Sequence, residues 1–221
     1  ARQASELTGS TWILAQEQTA ARGRRGRSWA TPRGNFAATL MMRRSESPST
    51  AALRSFVASL ALRRAFVATT RDEGAFTLKW PNDVLLNGGK VAGILLESIG
   101  DFLAIGIGVN LAHAPGADQV EAGALRPVSV VAETGKVVPP EVFLDALAAE
   151  YAQLETQFQT YGFAPIRTAW LSHAARLGEE IVARTMKDET RGAFEDVDAQ
   201  GNLILRTPKG RVPITAADVF F

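Results

Sequence analysis

Apolar positions along the 221-residue chain change their period several times, and each change marks an element. "TWILAQEQ" (11–18) and "NFAATLMMR" (35–43) read as strands, the second apolar on both faces as expected inside a sheet. Between 49 and 70 the period lengthens. Leu53, Phe56, Val57, Leu60 and Phe66 fall near one helical face, with Ser49 or Thr50 able to cap it. Short runs at 76–80, 83–86, 91–98 and 101–111 read as strands, separated by Asn87-Gly88-Gly89 and Gly100-Asp101 turns. The plainest helix is 139–162, with Pro140 near its start and Gly162 as its stop; 165–175 predicts another. From Leu177 short strands recur at 179–186, 190–198, 201–207 and 210–214. Residues 1–7 read as the end of a helix stopped near Gly9. The pattern predicts an α/β (α+β type) domain over 1–175 and a small β-barrel-like domain over 176–221.

Composition narrows the class. An apolar share of 46% with 21% charged residues suits a globular chain with a proper core, and no apolar run approaches the roughly 18 residues of a membrane span. The first ten residues lack the apolar stretch of a secretory signal and begin without methionine, so the natural start is expected upstream. The absence of cysteine excludes disulfides, thiolate metal sites and a cysteine nucleophile, and agrees with a cytoplasmic setting. His113 and His173 lack ligand-like spacing. Charge is uneven: residues 1–48 hold eight arginines against Glu6, Glu17 and Glu46, whereas the remainder is net acidic. A nucleic-acid-binding face would be basic more widely, so the local excess points to a compact anion.

Four stretches can carry chemistry. "AARGRRGRSW" (20–29) joins four arginines to two glycines: forked, permanently charged donors on a backbone able to approach a ligand closely. A solvated loop, a nucleic-acid arm and a clamp for an anionic ligand all remain open on this segment alone. Such a self-repelling loop is expected to be mobile when empty. "KWPND" (79–83) breaks a strand at Pro81 and presents Lys79, Asn82 and Asp83 at its end. Asp83 suits Mg²⁺ held on a nucleotide, or a plain turn. "GKVAGILLE" (89–97) opens an apolar strand on Lys90 and carries Gly93. In "GIGVN" (106–110), Gly106 and Gly108 share one face and leave a floor without side chains, closed by the Asn110 amide. A Walker A loop would need glycine at Val84 and a hydroxyl at Val91, and a dinucleotide fingerprint would need glycine at Leu111, so both motifs are rejected.

In this order, "QTAARGRRGRSW", "KWPNDV", "KVAGILLE" and "GIGVN" resemble the biotin protein ligases over essentially the whole chain. The resemblance implies a mixed β-sheet catalytic domain flanked by helices, related to class II aminoacyl-tRNA synthetase and lipoate ligase folds, plus a small C-terminal SH3-like β-barrel. It implies ATP- and Mg²⁺-dependent conversion of biotin to biotinyl-5′-AMP, then transfer to a lysine of a biotin carboxyl carrier protein. Matched by position, Gln18 contacts the ureido ring of biotin; Arg22, Gly23 and Arg24 form the closing loop; Lys90 stabilises charge at the reacting centre. Gly93, Gly106 and Gly108 form the pocket floor, Trp29 and Asn110 contact the adenylate, and Asp83 is the Mg²⁺-linked carboxylate. Lys90 and Arg24 are the catalytic pair. No nucleic-acid or membrane partner is expected, nor operator binding, and the chain is expected as a monomer or homodimer. The family's Ser-Thr-Asn before its first helix has no counterpart here, which implies weakened biotin binding if the chain begins at Ala1. Ala21 replaces a usual glycine and is expected to hinder loop closure if φ must be positive. Lipoate–protein ligase, a non-catalytic biotin sensor and a nucleic-acid module are the alternatives.

Overall fold

The computed structural model of the chain describes all residues except 1–6, 8, 28, 30, 117–118, 121–122 and 186–187. The helix expected over residues 1–7 lies outside the described residues, Leu7 apart. Six strands form the first sheet: β1 (Thr11–Ala15), β2 (Phe36–Arg43), β3 (Phe76–Lys79), β4 (Asp83–Leu86), β5 (Gly89–Ile99) and β6 (Phe102–Val109), in the order β1-β2-β6-β5-β4-β3. Every pairing between these strands is antiparallel. The parallel component of the mixed sheet is confined to isolated bridges, Leu78 to Ala174 and Lys90 to Pro127. The cause is local connection: β3 to β6 follow one another through short turns, which favour antiparallel neighbours.

Helices α1 (Pro48–Ala52), α2 (Arg54–Thr70), α3 (Val130–Thr134), α4 (Pro140–Tyr161) and α5 (Phe163–Leu171) complete this part. Ser47, not Ser49 or Thr50, caps the first of them by accepting from the Thr50 amide, because Pro48 already occupies the first helical position. The break after Ala52 turns the single helix expected over 49–70 into α1 and α2. Alternate strand residues Ala38, Leu40, Leu103, Ile105, Ile107, Ala92 and Ile94 face the helices and join one apolar cluster with Phe66, Phe143 and Leu147. Phe66 stacks on Phe76 and meets Phe143, which fixes the helix layer against the sheet.

The second sheet contains β7 (Glu180–Arg184), β8 (Glu189–Val197), β9 (Leu203–Thr207), β10 (Gly210–Ile214) and β11 (Asp218–Phe220), ordered β10-β9-β8-β7-β11. No pairing of β10 with β11 closes it into a barrel among the described residues. The same apolar cluster continues through Trp170 into Phe194, Ile181 and Leu205, so the two sheets share a core. Gly201 seals their junction. Its φ is +82°, a Cβ there would meet Leu53 at 2.9 Å, and its carbonyl accepts from Trp80 Nε1. Among the described residues no helix is long and apolar enough to cross a membrane.

Candidate active site

Strand register brings the site together on the sheet face opposite the helices. Ala15 of β1 opposes Ala37, Ala37 opposes Gly108, Gly108 opposes Gly93, Gly93 opposes Asp83 and Asp83 opposes Lys79. Side chains in one such row share a face. Its middle therefore carries only a methyl group and two glycines, and its end carries a carboxylate beside an ammonium. Gly106, opposite Thr39 and Leu95, extends the floor by one row, and a Cβ there would meet nothing closer than the Leu95 carbonyl at 3.5 Å.

Trp29 lies on this floor. A Cβ at Gly108 would come within 2.6 Å of Trp29 Cε2, whereas one at Gly93 would find Trp29 Cζ3 at an ordinary 3.5 Å. Gly108 is therefore required by the indole's close approach. Lys90 Nζ stands 5.6 Å from the centroid of the same ring, a cation–π contact.

Lys90 reaches the site through a bulge. Three residues from Gly93, it would project from the opposite face of a regular strand. The register between β4 and β5 shifts at Val84/Leu85, so Lys90 opposes Leu85 while Gly93 opposes Asp83. The extra residue, Val91, restores Lys90 to the face of Gly93 and Asp83. Lys90 Nζ then lies 2.7 Å from Asp83 Oδ1, with Lys79 Nζ 3.8 Å from Oδ2. Burial alone would raise the Asp83 carboxyl, but Lys90, Lys79 and Arg24 outweigh it and hold the group below its ordinary value. Burial conversely pushes Lys79 down, against the opposing pull of Asp83.

This setting bears on the Mg²⁺ expectation. Asp83 is a single buried carboxylate already neutralised by two lysines, and no cluster of three metal-binding side chains occurs among the described residues. Mg²⁺ takes one or two carboxylates with phosphate oxygens, and here it would have to displace Lys90. These donors do not fit a metal, and Asp83 is the counter-ion of Lys90.

The arginine loop folds back as a hairpin, with Gln18 bridged to Thr31, the Trp29 amide donating to Ala21 O, and the Gly23 amide donating to Arg27 O at 2.7 Å. Arg24 turns inward: its Nη1 stands 3.5 Å from both Asn82 Oδ1 and the Ala217 carbonyl. Burial lowers its pKa, partly opposed by Asp218 and Asp83. Ala21 is not among the residues of positive φ in this conformation, where the left-handed positions of the loop fall on Arg25 and Gly26. Gln18 and Arg22 are exposed on the loop rather than packed into the row. Asn110 is buried just past β6, its backbone N–H donating to Val91 O and its backbone carbonyl accepting from Val130 N. Sequence reasoning missed Asp218 and Phe221, which reach the loop and Lys79 from the C-terminal strand. The sequence reading ended its strands at Ile214 and gave none over 218–220.

Residues 2–111 match the biotin/lipoate A/B protein ligase family, and residues 177–221 match the biotin protein ligase C terminal domain. The chain is 58% identical to the biotin–[acetyl-CoA-carboxylase] ligase of Paracoccus denitrificans, over 97% of this chain and 92% of that protein. The chain belongs to the biotin protein ligase family. It is 32% identical to the biotin–[acetyl-CoA-carboxylase] ligase of Mycobacterium tuberculosis, over 94% of this chain and 77% of that one. Against the Bacillus subtilis bifunctional ligase/repressor BirA, identity is 29% and the chain spans 65% of that protein's length. The fold matches biotin protein ligase from Aquifex aeolicus in complex with biotin and ATP, with a TM-score of 0.87, 24% identity and coverage of 99% of this chain and 92% of that one.

Proposed function

We propose that this biotin protein ligase activates biotin with ATP and transfers it to a lysine of a biotin carboxyl carrier domain of an acyl-CoA carboxylase. A biotin carboxylate oxygen attacks the α-phosphorus, the bond to the β-phosphate oxygen breaks, and pyrophosphate leaves. The carrier amine then attacks the carbonyl carbon of biotinyl-5′-AMP, the carbonyl–oxygen bond breaks, and AMP and a proton are released.

The observation that carries the reading is the side-chain-free floor at Gly93, Gly106 and Gly108, adjoining Lys90 and Arg24. The part of that floor left uncovered by the Trp29 indole, at Gly106, suits a fused ring system, and two cations beside the row offset the repulsion of a carboxylate brought against a polyphosphate. Lys90 and Arg24 are the proposed catalytic groups. Asp83 pairs with Lys90 and holds it beside the floor. Gln18, Arg22 and Gly23 are assigned to the closing loop and the ureido end, Trp29 and Asn110 to the adenylate. Exclusion of water by the loop protects the mixed anhydride from hydrolysis.

We further assign the chain to the cytoplasm, as a monomer or homodimer without a nucleic-acid ligand. Biotin-dependent exchange of labelled pyrophosphate into ATP, with lipoate as control, tests the substrate assignment. Exchange supported by lipoate and not by biotin overturns it.

A further inference from the structure

The last strand makes contacts that the reaction scheme leaves unused. Asp218 Oδ2 accepts from Arg25 Nη1 at 2.6 Å and from Arg27 Nη2 at 2.5 Å, 193 and 191 residues away along the chain. The carboxylate is itself fixed. It opens β11, whose neighbours Ala217 and Val219 are buried, and it opposes Arg184 on β7. Arg184 is engaged by Glu189 at 2.9 Å, which leaves Asp218 to the loop. On the loop side, Arg25 has φ +58° and Gly26 has φ +74°. A left-handed arginine is a costly conformation that persists where its surroundings over-determine it, and Asp218 supplies that constraint. Between the two clamped arginines and the floor stands Arg24, close to the Ala217 carbonyl on one side and Asn82 on the other. One residue beyond β11, the Phe221 ring lies 5.6 Å from Lys79 Nζ, so the same segment also covers the lysine end of the strand row.

Three of the four loop arginines therefore divide the work. Arg25 and Arg27 are anchors, and Arg24 is the cation delivered to the site. We infer that Asp218 is a positioning residue: it ties the arginine loop to the C-terminal sheet and aims Arg24 at the nucleotide phosphates, so that this sheet sets ATP affinity without touching biotin. This rests on the proposed ATP-dependent reaction. A carboxylate that merely competed with phosphate for the arginines would have the opposite effect on ATP binding, which makes the two roles separable.

The test uses the full chain as wild type, Asp218→Asn and Asp218→Glu, with Glu180→Gln as a charge-loss control on the same sheet. Native-state trypsin cleavage within residues 22–27 reads loop opening directly and needs no turnover. Asp218→Asn is expected to be cut about fivefold faster there, and to raise KM for ATP about tenfold with biotin affinity changed less than twofold, within the usual range of coupling between sites. Asp218→Glu restores both, and Glu180→Gln changes neither. Should Asp218→Asn fail to fold, rising salt must accelerate loop cleavage of the wild type relative to its other arginine sites. Unchanged cleavage, or a KM for ATP that stays level or falls, overturns the inference. Absence of biotin-dependent exchange in the wild type defeats the proposed reaction instead, while leaving the cleavage result to judge the tether.

Discussion

Replacing Gly108 by alanine adds one methyl group where the Trp29 indole already lies. The new Cβ would sit 2.6 Å from Trp29 Cε2, well inside van der Waals contact, so the indole must lift from the floor. Overpacking of this kind costs about 1–3 kcal/mol. The backbone itself favours the change, because Gly108 has no positive φ and losing glycine's freedom in the unfolded chain returns about 0.5–1 kcal/mol. The net destabilisation is then at most about 2.5 kcal/mol, or a fall in Tm of up to roughly 10 °C for a chain of this size. Gly93→Ala places its methyl group 3.5 Å from the same ring and is expected to be neutral or slightly stabilising. Denaturant unfolding of the two variants, alone and combined with Trp29→Ala, forms a double-mutant cycle. The cost of Gly108→Ala should vanish once the indole is gone. If it persists unchanged in the Trp29→Ala background, the methyl group acts through something other than Trp29, and the stacked arrangement is wrong.

Other consequences concern charge and the core. Lys90→Ala should lower biotin-dependent pyrophosphate exchange by about 10²–10³-fold, the usual effect of losing one group that stabilises developing charge, while the thermal melt stays cooperative. Asp83 has a folded pKa held below its ordinary 3.8, so its contribution to stability is fully present above that value and is lost as pH falls through the folded pKa. Asp83→Asn should therefore flatten the acid limb of a Tm-against-pH curve taken from about pH 6 to about pH 3; an unchanged limb would mean that the pair with Lys90 contributes nothing. Arg54 is buried between Glu46 and Glu155, with Nη2 donating to Glu155 at 2.7 Å and Tyr151 donating to the same carboxylate at 3.2 Å. Arg54→Met leaves Glu155 without its counter-charge and should cost about 3–5 kcal/mol in chemical denaturation, whereas Arg54→Met with Glu155→Leu should recover most of it.

Strand and helix periods were plain in the chain, because burial of one face imposes a repeat of two or of 3.6 on any sequence that folds. Alternation alone puts Gly106 and Gly108 on one face, and Pro140 and Gly162 bound a helix for stereochemical reasons that need no partner. The candidate residues were likewise readable as types: arginines for anions, glycines for close approach. What the sequence did not contain was register. Lys90 and Gly93 lie an odd number of residues apart, so strict alternation separates them, and only the bulge at Val91 returns both to the face that carries Asp83. That bulge depends on how β4 and β5 pair, which no local pattern records. The same holds for Asp218, an unremarkable acid near the C-terminus until β11 pairs with β7 and carries it to the arginine loop. Local sequence determined which groups were available. The pairing of distant strands decided which of them meet, because an ion pair depends on separation in space and not along the chain.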